Sequence, residues 1–216
     1  MKLRILVADD HEVVRHGICA LLQSHSGWEV CCQVSDGREA VRKAKELKPD
    51  IVVLDIGMPK LNGLEATRQI LQNDPQMRIV ILTLIDSEQV MQEVLKAGAR
   101  GFVLKSDAAK DLVAAVEALE RRRTFFTPRV ADLMLQGYQS GDTSGNLPTL
   151  TPREREVVQL LAEGKSSKEV AVALNVSVKT AETHRTNIMR KLQFHTVSEV
   201  IFYAIRNNIV QINPTP

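Results

Sequence analysis

A chain of 216 residues that is 44% hydrophobic and 25% charged has the composition of a soluble globular protein with room for two domains. Its longest apolar run, residues 79–85 with Thr83 inside it, is too short to cross a bilayer, and the first ten residues reach an acid pair after one short apolar run, which excludes a signal peptide. Three cysteines with no C-x-x-C supply neither a disulfide framework nor a metal knuckle, so a cytoplasmic protein with reduced thiols and no membrane partner is expected.

The net charge of +2 hides an asymmetry. Residues 1–128 hold 18 Lys and Arg against 18 Asp and Glu, whereas residues 147–216 hold 9 against 6. A polyanionic partner is therefore to be sought at the C-terminal part.

In chain order, residues 3–8 read as a strand that runs straight into Asp9-Asp10. Residues 12–24 then carry Val13, Val14, Ile18, Leu21 and Leu22 at helical spacing. Residues 28–34 alternate as a strand, residues 38–47 form a helix, and Lys48-Pro49-Asp50 stops it. Ile51-Val52-Val53-Leu54 is a β-branched apolar run of the kind buried on both faces of a parallel sheet, and it ends on Asp55. A helix over 64–73, a strand from Ile79 to Leu82 ending on Thr83, and a helix over 87–97 closed by Gly98 follow. A strand from Gly101 to Leu104 ends on Lys105, and a last amphipathic helix covers 107–123. Five strand–helix repeats predict a doubly wound, five-stranded parallel sheet of flavodoxin-like type.

That topology gathers Asp9, Asp10, Asp55, Thr83 and Lys105 at one edge of the sheet, where open α/β folds bind ligands. Adjacent acids at a strand end have a plainer reading as a helix start. The set as a whole fits one chemistry better. Three carboxylates offer hard oxygen ligands to Mg²⁺, which relieves their repulsion and keeps Asp55 ionised. A carboxylate can accept a phosphoryl group as an aspartyl phosphate. Lys105 and Thr83 can then meet the transferred oxygens.

Residues 3–122 resemble the receiver domain of bacterial two-component response regulators. The resemblance rests on Asp9-Asp10, on Asp55 with Met58-Pro59 and Asn62-Gly63, on Thr83, and on Phe102 with Lys105. It implies that Asp55 accepts phosphate from a sensor histidine kinase. It implies that Asp10, Asp55 and the Gly57 carbonyl hold the metal, with Asp9 acting through water, and that Thr83 and Phe102 are the switch pair. It further implies a receiver that catalyses its own phosphoryl transfer and dephosphorylation without being a dedicated enzyme. Leu84 stands where the family commonly has a small residue, which narrows access to the phosphoryl group.

Residues 124–149, with Gly137, Gly141, Gly145 and Pro148, predict a flexible linker between a domain over 1–123 and one over 150–216, with a short helix at 130–135. Beyond it, Thr151-Pro152-Arg153-Glu154 and Ser166-Ser167-Lys168-Glu169 are capping boxes for two helices, Ser177 caps a third, and residues 197–208 form a fourth. A short helix, a tight turn at Asn175 and a longer helix make a helix-turn-helix in a small all-α domain. The outer face of the third helix mixes hydroxyls and bases, which suits the DNA major groove; a plain helical module is the alternative.

Leu150–Val157, Glu163–Ser166, Lys168–Ala171, Ser177–Thr180, His184-Arg185 and Lys191-Leu192 resemble the LuxR-type (NarL/FixJ) DNA-binding domain. The resemblance implies base contacts from Lys179, Thr180, Glu182, Thr183 and Thr186, and phosphate contacts from Lys165, Arg185, Arg190 and Lys191. It implies double-stranded promoter DNA as partner and a homodimer when active, formed through the fourth helix, whose other reading is a core helix. The expected whole is a phosphorylation-switched transcription factor. The alternative is an orphan regulator that binds DNA without Asp55 phosphorylation. The five histidines offer no ligand spacing, and His11, His16 and His25 read as surface or helix-end residues.

Overall fold

The computed structural model describes residues 2–126 and 150–210. The chain divides into two compact units, residues 1–143 and 144–216.

The first unit is a five-stranded sheet in the order β2-β1-β3-β4-β5. Its strands are β1 (Leu3–Ala8), β2 (Trp28–Val34), β3 (Ile51–Asp55), β4 (Arg78–Thr83) and β5 (Gly101–Leu104), and each neighbouring pair is parallel. The helices α1 (Glu12–Gln23), α2 (Gly37–Leu47), α3 (Gly63–Asn73), α4 (Glu88–Ala97) and α5 (Ala108–Glu120) alternate with them. Apolar strand residues divide by parity. Val52, Leu54, Ile79 and Ile81 face one core with α2, α3 and α4, while Ile51, Val53, Val80 and Leu82 face the other with α1 and α5. This is why β3 has no polar break: both of its faces are covered. Each such aliphatic side chain contributes about 1.5–3 kcal/mol by leaving water. The strand order reverses direction between β1 and β3, the switch point at which doubly wound sheets bind ligands, and those strands carry the three acids at their C-terminal ends.

Local signals set most of the boundaries. Asp36, Asn62 and Ser87 accept hydrogen bonds from Glu39, Glu65 and Val90 N–H and so start α2, α3 and α4. Gly98 ends α4 with φ +91°, a left-handed turn that costs glycine least. The last helix is shorter than its apolar period. Lys105–Asp107 form a 3₁₀ turn first, and α5 stops at Glu120.

The segment expected to loosen from Thr124 stays on the sheet two residues longer. Phe125 N–H donates to the Arg100 carbonyl and its own carbonyl accepts from Phe102 N–H, forming a parallel bridge beside β5. Phe125 packs against the core of α1 and α5, and Phe126 against that of α2 to α4. Two consecutive aromatics thus pack on opposite faces of the sheet while the Phe125 backbone pairs with the start of the β5 edge. The expected helix at 130–135 lies outside the described residues.

The second unit holds α6 (Pro152–Ala162), α7 (Ser167–Leu174), α8 (Val178–Leu192) and α9 (Val197–Arg206). Capping boxes at Thr151–Glu154, Ser166–Glu169 and Thr196–Glu199 start α6, α7 and α9. Asn175, left-handed at φ +53°, turns the chain between α7 and α8. Val157, Val158, Val170, Leu174, Ala181, Ile188, Val200 and Ala204 form the core.

Candidate functional site

Asp55 closes β3 and is 3% exposed. Its position depends on Gly63. A Cβ at residue 63 would stand 2.0 Å from the Asp55 carbonyl oxygen, so only a glycine lets the start of α3 abut the backbone of Asp55. Gly63 N–H donates to the Ile56 carbonyl, and Asn62 caps the helix, so the loop carrying Gly57 is pinned at both ends.

Lys105, from the turn after β5, reaches across the sheet edge. Its Nζ lies 2.8 Å from Asp9 Oδ2 and 3.0 Å from Asp55 Oδ2, with all three side chains at least nine-tenths buried. Burial alone would lower the lysine's pKa, but Asp55 and Asp9 outweigh it and hold the ammonium above its ordinary range. Burial pushes the Asp55 carboxyl up to about 6; Lys105 pulls it down, and Asp9 and Asp10 repel it. Asp55 is thus mostly ionised at neutral pH but held as a charge in a dry place, which suits a carboxylate that must act as a nucleophile.

Asp9 accepts from the His11 N–H at 2.8 Å, and its carbonyl accepts from the Arg15 guanidinium at 2.7 Å, which fixes the acid pair at the start of α1. The plainer reading of that pair, a helix cap, is not realised: the N-cap position is His11, without a side-chain cap bond. One ligand atom from each of Asp9, Asp10, His11 and Asp55 lies within 4.8 Å of the others. Asp9 Oδ2 meets the Lys105 ammonium at 2.8 Å and Asp10 Oδ1 the His11 ring at 2.7 Å, so three clustered acids face a single fixed ammonium. That excess of carboxylate charge in a largely dry pocket fits a divalent cation. Sequence spacing missed His11, because adjacency to Asp10 is not a ligand pattern; the fold turns its ring back toward the acids.

Thr83 ends β4, is fully buried, and its Oγ1 accepts from Ile85 N–H at 3.1 Å, which leaves the hydroxyl hydrogen to give to another acceptor. It is adjacent to the pocket, since Leu82 pairs with Asp55 in the neighbouring strand. Leu84, next in sequence, is 64% exposed. Phe102 pairs with Ile81 and lies wholly within the core.

In the second unit, Lys179, Thr180, Glu182, Thr183, Thr186 and Arg190 are exposed on α8, and Lys165 is exposed before α7. Steps of four, three and four put Lys179, Thr183, Thr186 and Arg190 on one stripe. Thr183 and Thr186 hydroxyls donate back to the Lys179 and Glu182 carbonyls, which restrains their side chains. Arg185 is half-buried. Lys191 Nζ lies 2.8 Å from Glu154, tying α8 to α6, with its side chain still partly exposed.

Comparison with known proteins agrees with both halves. The response regulator receiver domain profile matches residues 5–117, and that of bacterial regulatory proteins of the luxR family matches residues 148–204. The response regulator protein VraR of Staphylococcus aureus is 36% identical over 211 residues, covering 98% of this chain and all of that protein. A LuxR-family two-component response regulator from Aurantimonas aligns over 64% of this chain and 99% of its own with TM-score 0.59 and 36% identity. RcsB of Salmonella enterica serovar Typhimurium, solved bound to a promoter in the presence of the phosphomimetic BeF₃⁻, aligns over 94% of this chain and 98% of its own with TM-score 0.60 and 27% identity.

A receiver with an acidic pocket at its switch point, followed by a helix-turn-helix, makes this protein a DNA-binding response regulator. Within that class the chain belongs to the LuxR family of two-component regulators. Proteins of this class are switched by kinases, and receivers hold Mg²⁺ through acidic residues such as those clustered here. No described helix is long and apolar enough to cross a membrane.

Proposed function

We propose that Asp55 is the phosphoacceptor through which a sensor histidine kinase controls binding of this protein to double-stranded promoter DNA. The observation that carries this is the Lys105 ammonium held between Asp9 and Asp55, a fixed positive charge where phosphoryl oxygens would stand. An Asp55 carboxylate oxygen attacks phosphorus, the P–N bond of the kinase phosphohistidine breaks, and its electron pair leaves with the imidazole. Lys105 stabilises the transferred oxygens, and Thr83 donates its free hydroxyl hydrogen to one of them. Asp10, Asp55 and the Gly57 carbonyl, with Asp9 through water, would hold Mg²⁺, which would supply charge neutralisation at those oxygens.

A phosphoryl group adds about −1.5 to −2 charge. Drawing Thr83 toward it withdraws the acceptor of the Ile85 N–H and reshapes the segment before α4, next to Phe102. Moving a population from 1:99 to 99:1 requires about 5.5 kcal/mol of such differential stabilisation. The reshaped face then favours a homodimer that presents two α8 helices to DNA, with α9 at its contact. Lys179, Thr180, Glu182, Thr183 and Thr186 face bases, and Lys165, Arg185, Arg190 and Lys191 face phosphates. The protein works in the cytoplasm and is not a dedicated enzyme: the receiver's chemistry serves its own switching.

The test is treatment with acetyl phosphate and Mg²⁺ on a phosphate-sensitive gel, with operator affinity measured alongside. Wild type should shift and bind DNA more tightly, while Asp55→Asn should do neither. A wild type that never shifts, or an Asp55→Asn protein with unaltered DNA response, leaves the orphan regulator as the reading.

A further inference from the structure

His11 is the N-cap residue of α1, yet its side chain makes no capping hydrogen bond. A residue there ordinarily turns its side chain forward onto the free N–H groups of the first turn. His11 turns its ring back instead, so that Nδ1 is 2.7 Å from Asp10 Oδ1 and 3.5 Å from Asp9 Oδ1.

At 2.7 Å the ring and the acid form an ion pair when the imidazole is protonated; when it is neutral, both can turn their lone pairs on one ion instead. Donor atoms bound to one first-row ion at about 2.1 Å lie up to about 4.2 Å apart. The four ligand atoms of Asp9, Asp10, His11 and Asp55 already lie within 4.8 Å of one another, so a small closure brings them onto one centre. The imidazole is half-exposed, which leaves the ion an approach from solvent.

We propose that His11 is a fourth side-chain ligand of the receiver's metal site, and that it shifts the site's preference from Mg²⁺ toward first-row transition ions. This rests on reading the acid cluster as a metal site. The chemistry distinguishes His11 from its neighbours. Mg²⁺ is hard, keeps its waters and gains little from an imidazole. Mn²⁺, Co²⁺ and Ni²⁺ take imidazole readily, with affinity rising along that series. A carboxylate-only pocket would separate these ions less.

The experiment is calorimetric titration of the EDTA-stripped full chain with Mg²⁺ and, separately, Ni²⁺, for wild type, His11→Ala and Asp10→Asn. His11→Ala should lower Ni²⁺ affinity at least about tenfold and leave Mg²⁺ affinity within about twofold. A Co²⁺ visible spectrum that changes between wild type and His11→Ala would give the same answer through the ion's own ligand field. Equal losses for both ions would overturn the proposal and make His11 a residue that merely orients Asp10. No loss for either would make it an ordinary helix start. If no Mg²⁺ or Ni²⁺ binding of wild type is sensitive to Asp10→Asn, the metal-site reading itself fails, which the Asp10 variant shows independently of His11.

Discussion

The pocket at the sheet edge and the outer face of α8 carry similar residue types under opposite conditions. In the pocket, Asp9, Asp55 and Lys105 are buried and locked to one another at 2.8–3.0 Å. On α8, Lys179, Thr183 and Arg190 stand in water, and their one common constraint is the helix beneath them. The first arrangement is preorganised for a reaction and is costly to disturb. The second is inexpensive to mutate and waits for its partner. A surface charge loses little when its neighbour is removed, whereas a buried one loses its solvation and its partner together.

This contrast is open to direct challenge. The largest effect should come from Gly63→Ala. Its Cβ would overlap the Asp55 carbonyl at 2.0 Å, and backbone on both sides must move. A loss of about 3 kcal/mol is expected. It can be followed in urea by the fluorescence of Trp28, the chain's one tryptophan, which is buried in the first unit's core. A loss under about 0.5 kcal/mol would mean that the α3 start is not tightly set against Asp55.

The second challenge is pH. The folded chain holds the Asp55 proton more tightly than the unfolded chain, at about 6 against 3.8. The cost of ionising it therefore falls on the folded state. It is absent below the lower value and complete above the upper one, where it reaches about 3 kcal/mol at most. Asp55→Asn carries no such charge. In EDTA its stability advantage over wild type should grow between about pH 4 and about pH 7, and saturating Mg²⁺ should shrink it. A pH-independent difference would show that the pocket does not strain its acid.

The third challenge concerns α8. Lys179→Ala and Thr183→Ala should each weaken operator binding by about 1–3 kcal/mol if they read bases, with stability changed by less than about 0.5 kcal/mol. Fluorescence anisotropy with operator and random duplexes separates base reading from phosphate contact, since the latter weakens both equally. The smallest effect belongs to Lys191→Ala. Its partner Glu154, held below the usual carboxylate range despite partial burial by Lys191 and Thr151, makes it a structural tie between α8 and α6. Thermal unfolding should show a loss of no more than about 1 kcal/mol. DNA affinity should change less than for Arg190→Ala.

Strand and helix positions were legible because they depend on periods and caps confined to a few neighbouring residues. Thr151, Ser166 and Ser177 cap the helices that their local sequence predicts, and Asn175 turns as its position suggests. The convergence of Asp9, Asp55 and Lys105 was legible one step further away, because a doubly wound sheet puts every strand's C-terminal end on one side. Three features were not legible. The turn of His11 toward Asp10 depends on the path of the backbone between β1 and α1. The pinning of Phe125 along β5 depends on a free sheet edge that only the assembled strand order exposes. The tie of Lys191 to Glu154 joins residues 37 apart in sequence.

The sequence by itself determined the alternation of elements, the family, and which side chains lie at the sheet edge and on the outer face of α8. Those follow from local propensity and from a topology with few alternatives. Only the tertiary structure decided which of those side chains meet and which are dry. Contact and dielectric are properties of distance in space, and that distance is set when the separate elements close upon one another.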